Sequence, residues 1–392
     1  MKILSVNAGS SSLKFTLFEM PEAKELISGV FEKIGLNDSF YSVKLNGEKT
    51  KKVVELPSHN EAFEILINEL IDLEIINSYD EIEGIGHRVA QGGAYFDKSV
   101  LATDENIEII TNLSQIAPLH NPAAVVGINA AKTVVPNAVQ TLVFDTSFHQ
   151  SIDEVNYLYA LPYEWYTKYN VRKYGFHGTS HKYVAKKAMD LLDNENAKLI
   201  TCHIGNGASI SAVNAGKCID TSMGLTPNAG LIMGTRCGDI DASIVSYICE
   251  KTGLSVDEVN TKLNKESGLL GISGVSSDSR DIEDGIANDD KRCILAQDMY
   301  VKKIVDYIAA YFVELNGADA IIFTAGVGEN SITTRKMILE KLEVLGVKID
   351  VDANNVRGKE QLISAEDSKV KVYVIPTNEE LMIATDTYDL IK

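Results

Sequence analysis

Two arginines in glycine-rich segments are the first residues of this sequence whose type and setting could do chemistry. Arg88 lies within GHRVAQGG and Arg236 within GTRCGDID. The chain contains only seven arginines and has a net charge of −18, so the positive charge that binds an anion must be concentrated locally. A planar guanidinium can donate paired hydrogen bonds to a carboxylate or a phosphate. These positions therefore predict contacts with a small anion, although a loop arginine is more often a solvated surface residue.

Two histidines and one aspartate also stand where side chains can act. His120 directly precedes a predicted helix, whose N-terminus offers free N–H groups to an anion. Asp145 follows a predicted buried strand over residues 140–144, the position at which α/β proteins place catalytic carboxylates. His177 lies on an irregular bend over residues 175–178. Each residue also has a structural interpretation, as a packed histidine or as a carboxylate that caps a turn.

Capping signals predict where three helices begin. Asn121, followed by proline, is the expected N-cap of the helix after His120. Ser180 is placed to cap the next helix along the chain. Near the C-terminus, Thr377 and Glu380 have the spacing of a capping box, which would leave Glu379 as the freer carboxylate.

The N-terminal segment MKILSVNAGSSSLKF predicts a hairpin with a small polar tip. Residues 2–6 and 13–18 are apolar and strand-like, and residues 7–12 tolerate tight turns. Glycine lets the backbone approach a phosphate, and the polar residues of the tip can donate to it. The candidates for such contacts are Asn7, Ser10, Ser12 and Lys14, and an ordinary hairpin in a sheet is the alternative.

The second half of the chain opens in the same way. Residues 199–204 and 210–213 read as strands, and the turn between them is Gly-Asn-Gly-Ala-Ser at residues 205–209. A similar strand–tip–strand pattern near residues 3 and 199 is a weak internal repeat. It predicts two similar domains, each presenting a phosphate-reaching hairpin to a shared cleft.

Two further loops have the composition of nucleotide-binding segments. The strand predicted at residues 320–324 runs into AGVGENS and then into a helix, an arrangement that brings backbone N–H groups to a phosphate or ribose. The segment GISGVSSDSRD places Asp278 and Arg280 in another Gly/Ser-rich loop. Either loop by itself is a weak signal.

Composition excludes several classes of protein. A chain of 392 residues is too long for one core, so two domains are expected. The acidic balance argues against nucleic acid or an anionic membrane as a partner. Five cysteines without a C-x-x-C pair suggest neither a disulfide framework nor a zinc site. No signal peptide or membrane span is evident, so we expect a soluble cytoplasmic protein.

Taken together, the motifs resemble the acetate kinase family. NAGSSSLK, GHRVAQGG, APLHNP, VFDTSFH, YGFHGTSH, HIGNGAS, GTRCGDID, SSDSRD, AGVGENS and PTNEE occur in the family's order, from residue 3 to about residue 385. The resemblance implies two duplicated actin-like (ribonuclease H-like) α/β domains with a nucleotide cleft between them. The expected N-terminal domain covers residues 1–148, with the helix of residues 380–392 packing back on it. The expected nucleotide-binding domain covers residues 149–379.

The resemblance implies reversible transfer of a phosphoryl group from ATP to acetate, which gives acetyl phosphate. Acetate is already deprotonated at neutral pH, so alignment and charge stabilisation must supply the catalysis. Arg88 and Arg236 would contact the acetate carboxylate and the phosphoryl oxygens. His177 resembles the family's stabiliser of the transition state, and His120 would donate to the same group. Asp145 matches the catalytic aspartate, and we expect it to orient Arg88 or a metal-bound water.

The same resemblance assigns the binding residues. Magnesium, with manganese as a possible substitute, would be held by Asn7 and Glu379. The phosphates would meet Lys14 and residues 10–12, which include Ser10 and Ser12. The ATP loops would contain His203, Ile204, Gly205, Asn206, Gly207, Asp278, Ser279, Arg280, Gly326, Val327, Gly328, Glu329 and Asn330. The acetate methyl would enter a pocket formed by Leu119, Phe176 and Pro227.

One position departs from the family's pattern. The family commonly has two valines and a histidine where this chain has Val89, Ala90 and Gln91. If Ala90 lines the methyl pocket, the smaller side chain predicts better use of propionate. A propionate or butyrate kinase is therefore an alternative. A sugar kinase fits less well, because sugar kinases need a base for a hydroxyl and lack the GFHG and HRV motifs. An actin- or Hsp70-like ATPase also fits less well, because it has no use for several basic groups converging on a small anion. A homodimer is expected from the family.

Overall fold

The structure, a computed structural model, describes residues 1–117 and 120–392 and divides into two compact units. Unit 1 comprises residues 1–150 and 378–392, and unit 2 comprises residues 151–377. Within the described residues, no helix is both long and apolar enough to cross a membrane.

The strands in chain order are β1 (Lys2–Ala8), β2 (Ser12–Glu19), β3 (Lys24–Glu32), β4 (Phe40–Leu45), β5 (Glu48–Val53), β6 (Ile82–Val89), β7 (Val100–Leu101), β8 (Val139–Phe144), β9 (Lys198–Ile204), β10 (Ala208–Asn214), β11 (Lys217–Thr221), β12 (Ala320–Thr324), β13 (Gln361–Leu362) and β14 (Lys371–Val374).

The helices in chain order are α1 (His59–Asp72), α2 (Asp104–Asn112), α3 (Asn121–Val134), α4 (Glu154–Tyr157), α5 (Tyr163–Tyr169), α6 (Gly178–Leu192), α7 (Ser243–Thr252), α8 (Val256–Lys265), α9 (Gly268–Ser273), α10 (Ser279–Ala287), α11 (Lys291–Glu314), α12 (Ala325–Asn330), α13 (Ile332–Lys341) and α14 (Glu379–Ile391). Short 3₁₀ helices cover Tyr79–Glu81, Leu113–Gln115, Ser147–Ser151 and Glu343–Leu345.

The described part of unit 1 is built on a sheet with the strand order β5-β4-β3-β2-β1-β6-β8-β7. The central strands β1, β6 and β8 are parallel, and β2 and β3 continue the sheet in antiparallel pairs. β1 is buried on both faces: Leu4 packs in the core that contains α1 and α3, whereas Ile3 packs against α14. This double cover explains why the strand is a continuous apolar run.

The C-terminal helix α14 approaches unit 1 closely, and a glycine makes the approach possible. A Cβ atom placed on Gly86 of β6 would lie 2.3 Å from Thr387 Oγ1 of α14. Thr387 and the neighbouring strand are joined by a hydrogen bond between the hydroxyls of Thr387 and Thr141, at 2.7 Å. The charges of Arg88 and Asp145, at the carboxyl ends of the parallel strands, act on Glu379 in the first turn of α14.

Unit 2 repeats the strand pattern of unit 1. Its sheet has the order β11-β10-β9-β12-β14-β13, in which β11, β10 and β9 are antiparallel and β9, β12 and β14 are parallel. The five strands β3-β2-β1-β6-β8 of unit 1 have the same sequence of orientations. The predicted repeat of an α/β domain is therefore confirmed at the level of topology.

The predicted caps of three helices are wrong, because each capping side chain bonds elsewhere. Asn121 is the first residue of α3 and is buried, where its side chain bonds to the backbone of Gln91. Ser180 lies inside α6 and donates to Thr377 Oγ1. The N-cap of α14 is Asn378, whose side chain accepts from the backbone of Leu381, so no box of Thr377 and Glu380 forms.

The glycine segment after β12 is also more regular than expected. Residues 325–330 form the short helix α12 instead of an open turn. Ala325 enters it with φ of 63°, a left-handed conformation that is uncommon for a residue with a side chain. The sharp turn between the strand and the helix is therefore made by the backbone of an alanine. The glycines that follow are either on the surface of the helix or buried against its neighbours.

Candidate active site

Three neighbouring parallel strands bring Asn7, Arg88 and Asp145 together in unit 1. Arg88 is the penultimate residue of β6, and Asp145 directly follows β8. Arg88 donates from Nε to Asp145 Oδ1 at 3.0 Å and from Nη2 to Oδ2 at 2.6 Å. Its remaining terminal nitrogen reaches Asn7 Oδ1 at 3.4 Å, on β1. Carboxyl ends of parallel strands share one edge of a sheet, which is why three residues far apart in sequence meet.

The Arg88–Asp145 pair is shielded from water without being fully enclosed. The side chain of Asp145 is 2% exposed and that of Arg88 is 25% exposed. The charge of Asp145 raises the pKa of Arg88, against the opposing effect of burial. The paired geometry holds the guanidinium in one orientation, and part of it still faces solvent.

Glu379 is a buried ionisable group at the start of α14. Its Oε1 atom is buried and makes no hydrogen bond within the part of the chain that the structure describes. Burial raises its pKa to about 7, and Asp145 and Glu380 add to the effect whereas Arg88 opposes it. A buried polar atom left unpaired is costly, so this oxygen is suited to an additional cationic or donating partner.

The neighbouring Glu380 is paired with Lys14. Lys14 Nζ lies 2.7 Å from Glu380 Oε1. Burial opposes the ionisation of Glu380, but the hydrogen bond and charge of Lys14 outweigh it, so the pKa of Glu380 is lowered. Lys14, predicted to face phosphate, is thus held by a carboxylate while 60% of its side chain remains exposed.

The predicted hairpin tip forms between β1 and β2, as Asn7 pairs with Lys14 in antiparallel register. The tip is closed by the backbone of Gly9, which donates to Ser12 O at 2.8 Å. Outside the hairpin, His59 Nε2 lies 2.9 Å from the Gly9 carbonyl oxygen and holds the tip from α1. Ser10 is exposed at the tip, and Ser12 is partly exposed as β2 begins.

In unit 2, His177 and Arg236 border the same small space. A Cβ placed on Gly207 would lie 3.5 Å from His177 Nε2 and 3.5 Å from Arg236 Nη1. Because Gly207 has no side chain, the backbone of the β9–β10 hairpin is uncovered where the imidazole of His177 and the guanidinium of Arg236 approach it. His177 has φ of 58°, and its ring stacks on His203 with centroids 4.1 Å apart.

Arg236 is a partly buried cation held only by uncharged groups among the described residues. Its Nη1 donates to the carbonyl oxygen of Pro227 at 2.9 Å and approaches Met233 Sδ at 3.6 Å. Burial lowers its pKa. The loop that carries it is anchored by Asp239, which accepts from the backbone of Gly230 and from Tyr307. A desolvated guanidinium with neutral partners is a prepared site for an anion.

A cavity of about 550 Å³ lies in unit 2 beside these groups. This volume is typical of sites for small-molecule ligands and cofactors. Among the residues predicted to bind ATP, the lining includes Gly205, Asn206, Asp278, Ser279, Arg280, Gly326, Val327 and Asn330. Arg280 and Asp278 form a bidentate pair at the start of α10, which lowers the pKa of Asp278 to about 2.

Five residues predicted to bind ATP lie outside the lining of this cavity. These residues are His203, Ile204, Gly207, Gly328 and Glu329. Glu329 has a structural task, since its Oε1 accepts from the backbone of Ala325 and of Thr377. His203 supports its neighbours by stacking on His177 and bonding through Nδ1 to Ser180.

Sequence reasoning missed several residues of the cavity wall. They include Gly234, Leu269, Ser277, Glu283, Tyr300, Ser331 and Arg357. Arg357 is followed by a glycine in a chain that contains few arginines. This is the same sequence signal that singled out Arg88. Tyr300 carried none, because it is a core residue of the long helix α11 that happens to reach the cavity.

The structure gives fewer contacts for His120 and for the residues predicted to form the methyl pocket. Phe176 is buried beside His177, and Pro227 is partly buried where its carbonyl meets Arg236. Ala90 is 9% exposed in the segment that follows β6. His120 is exposed and immediately precedes α3. Leu119, the remaining residue predicted for the methyl pocket, lies outside the described residues.

Comparisons with known proteins agree on one family. The model of the Acetokinase family matches residues 2–385. An acetate kinase from Geobacillus sp. is 54% identical over 391 residues, which cover 99% of this chain and 98% of the relative.

Two kinases are among the solved structures that resemble the whole chain. An acetate kinase from Porphyromonas gingivalis superposes with a TM-score of 0.96 at 45% identity and full coverage of both chains. A propionate kinase from Francisella tularensis superposes with a TM-score of 0.94 at 43% identity and 99% coverage of both chains. These likenesses confirm the predicted α/β fold class.

Proposed function

The chain belongs to the acetokinase family, and we propose that it catalyses reversible transfer of the terminal phosphoryl group of ATP to acetate. The products are ADP and acetyl phosphate. Membership of this family implies a kinase that uses ATP and a divalent metal ion. The observation that carries the proposal is Arg236: a partly buried guanidinium, beside an imidazole, that is held only by neutral groups among the described residues.

The reaction requires alignment more than proton abstraction. The acetate carboxylate is ionised at neutral pH, so the attacking oxygen needs no base. Arg236 donates to the oxygens that gain charge as the phosphoryl group transfers, and His177 donates beside it. Arg88 is the proposed partner of the acetate carboxylate. Asp145 fixes the guanidinium of Arg88 through two hydrogen bonds, and this orientation is its role.

We propose that the divalent metal is magnesium and that Asn7 and Glu379 hold it. Both residues offer hard oxygen donors, and the buried Glu379 Oε1 makes no hydrogen bond within the described residues. Magnesium keeps several waters when it binds, so two protein oxygens are enough to hold it. When bound, magnesium would neutralise charge on the nucleotide phosphates.

The nucleotide is proposed to occupy the cavity of unit 2. Arg280 and Arg357 supply positive charge to its wall, and Asn206 and Asn330 supply amide groups. Lys14, Ser10 and Ser12 remain proposed contacts to phosphate from the hairpin tip of unit 1.

Propionate is the second candidate acceptor. The observation that favours it is the small, nearly buried Ala90 in the segment that departs from the family's pattern. A neighbour named as a propionate kinase shares the fold at 43% identity. A pocket distinguishes acids that differ by one methylene by only about 1–3 kcal/mol, so the preference would be graded.

We also propose a homodimer in the cytoplasm, where ATP is available. Exposed apolar side chains on α4 and α5 support an interface, including Val155, Tyr163 and Tyr169. The hydroxyl of Tyr163 donates to Glu154, so a hydrogen bond joins these two helices. Light scattering coupled to size exclusion tests the mass, and Tyr169→Glu is expected to shift it toward the monomer.

The experiment that tests the reaction is ADP formation in the presence of hydroxylamine, which traps an acyl phosphate as a hydroxamate. We expect acetate-dependent hydroxamate with ATP and magnesium. Arg236→Ala should lower kcat/KM about 10²–10³-fold, as removal of a donor to a transition-state anion does elsewhere. ATP hydrolysis that is indifferent to acetate, propionate and butyrate would contradict the proposal and favour an actin-like ATPase.

A further inference from the structure

A buried chain of hydrogen bonds leads away from His177 into the sheet of unit 2. His177 Nδ1 lies 2.9 Å from Ser209 Oγ, and Ser209 Oγ lies 2.7 Å from His181 Nε2. His181 Nδ1 lies 2.7 Å from Thr201 Oγ1, whose hydroxyl donates to the Ser211 carbonyl at 3.4 Å. His181, Thr201 and Ser209 are all fully buried. The proposed function uses only His177, at one end of this chain.

The far end of the chain sets its direction. The Ser211 carbonyl oxygen, 3.4 Å from Thr201 Oγ1, can only accept, which favours the arrangement in which the single hydrogen of the Thr201 hydroxyl points to Ser211. Thr201 Oγ1 then accepts from His181 Nδ1–H, which leaves the Nε2 atom of a neutral His181 as an acceptor. Ser209 donates to that Nε2 and accepts in turn from His177 Nδ1–H. Each hydroxyl has one hydrogen, so in this arrangement each link determines the next.

We propose that this chain makes His181 and Thr201 positioning residues that hold His177 in its Nδ1–H tautomer. The Nε2 atom of His177, which borders Gly207 and Arg236, then carries a hydrogen only when the ring is protonated. His177 donates to a transferring phosphoryl group as an imidazolium and loses that ability on deprotonation. This inference rests on the proposed function for its catalytic consequence, but the tautomer itself does not depend on it.

The surroundings of His177 agree with this assignment. Its ring stacks on His203, whose Nδ1 is already engaged by Ser180. Arg236 is a second cation on the Nε2 side of His177. Its charge disfavours protonation of the imidazole until an anion is bound between them. A phosphoryl group supplies that anion, so the protonated form of His177 is favoured when the substrate is present.

Removing the Thr201 hydroxyl should allow the donor and acceptor roles along this chain of hydrogen bonds to reverse. In Thr201→Val, Nδ1 of His181 no longer donates to a hydroxyl, so the tautomer with hydrogen on Nε2 becomes available. That Nε2–H would donate to Ser209, and Ser209 would donate to His177 Nδ1. A neutral His177 would then carry its hydrogen on Nε2 and could donate to the phosphoryl group without being protonated.

The tautomer can be measured directly in the natural protein. Long-range ¹H–¹⁵N correlation spectra of protein labelled at histidine distinguish the two neutral tautomers and the imidazolium. His177→Gln identifies the signal of His177 among the seven histidines. We expect the Nδ1–H form at high pH in the natural protein and the Nε2–H form in Thr201→Val. A neutral His177 in the Nε2–H form in the natural protein would overturn the proposal, whatever the activity.

The kinetic test compares pH profiles of kcat/KM. Thr201→Val should keep activity to higher pH, with the alkaline limb displaced by about one pH unit or more. Thr201→Ser restores a hydroxyl and should restore the original profile. Thr221→Val removes a buried hydroxyl from the same sheet outside the chain and controls for loosened packing. An alkaline limb that is the same in Thr201→Val, Thr221→Val and the natural protein would contradict the proposal. Absence of acetate-dependent activity in the natural protein would instead refute the proposed function and leave the spectroscopic test intact.

Discussion

Arg88 and Asp145 face each other from the ends of adjacent parallel strands as a bidentate pair, with N···O distances of 3.0 and 2.6 Å. Asp145 is almost fully buried, and both of its carboxylate oxygens accept from Arg88. A carboxylate so engaged is poorly placed to abstract a proton. The arrangement instead fixes a guanidinium whose remaining nitrogen reaches Asn7.

Asp145→Asn should therefore lower activity by misorienting Arg88. The amide keeps the size of the side chain, but only one of its two terminal atoms can accept from the guanidinium, and the other is an NH2 donor. We expect kcat/KM for acetate to fall about 10²-fold or more, with the loss of alignment as the cause. Steady-state kinetics check this, and Asp104→Asn, which changes a fully exposed aspartate, is the control. A loss confined to the KM for ATP would show that Asp145 serves the nucleotide instead.

Glu379 predicts a dependence of stability on pH. Its pKa is raised to about 7 in the folded protein, above that of an exposed glutamate. Between about pH 4.5 and 7 the folded state binds more protons at this site than the unfolded state, so its contribution to stability falls as pH rises, by about 3 kcal/mol in all. Glu379→Gln should remove this slope and raise the melting temperature near pH 8, relative to the natural protein. Thermal melts from pH 5 to 8 measure both curves.

Magnesium should act on the same carboxylate in the opposite sense. A cation favours the ionised form, so added magnesium should raise the melting temperature most above pH 7. The increase should be lost in Glu379→Gln. Glu83→Gln, a change at a half-exposed glutamate of unit 1, should retain it. An equal response of Glu379→Gln and the natural protein would remove Glu379 from the proposed metal site.

Arg280 predicts a selective effect on the nucleotide. It lines the cavity of unit 2 and is oriented by Asp278. Arg280→Ala should raise the KM for ATP about tenfold, because a charge-assisted contact with the nucleotide is lost. The KM for acetate should stay within about twofold, since the change removes binding to one substrate only. Lys302→Ala, on an exposed face of α11, is the matched control. Equal increases in both KM values would argue against a nucleotide contact.

Ala90 predicts a graded change in acid preference. Valine at this position adds two methyl groups to a nearly buried site. If Ala90 borders the pocket, Ala90→Val should lower kcat/KM for propionate relative to acetate by about 10-fold, the lower part of the range for one methylene. The ratio of the two kcat/KM values is the measurement. A ratio equal to that of the natural protein would remove Ala90 from the pocket.

Some of these sites were predictable because the information was local. The hairpin tip between β1 and β2, the strand that ends at Asp145 and the repeated strand pattern all follow from apolar runs and turn residues. The resemblance to a family then connected ten motifs, each of which is weak evidence of function when taken alone. The caps of α3, α6 and α14 were mispredicted for the opposite reason: Asn121 and Ser180 bond to segments distant in sequence, and Asn378 replaces Thr377 as the cap.

The sequence by itself determined which residues could bind anions, their order along two similar α/β units, and the family to which the chain belongs. Only the tertiary structure decided that Arg88 is oriented by Asp145, that Glu380 holds Lys14, and that a buried oxygen of Glu379 is unpaired among the residues that the structure describes. It also decided that His177 is connected through Ser209 to His181 and Thr201. The physical reason is that strand and turn propensities act between neighbours in the chain, whereas hydrogen-bond partners and burial depend on which strand ends the fold places side by side.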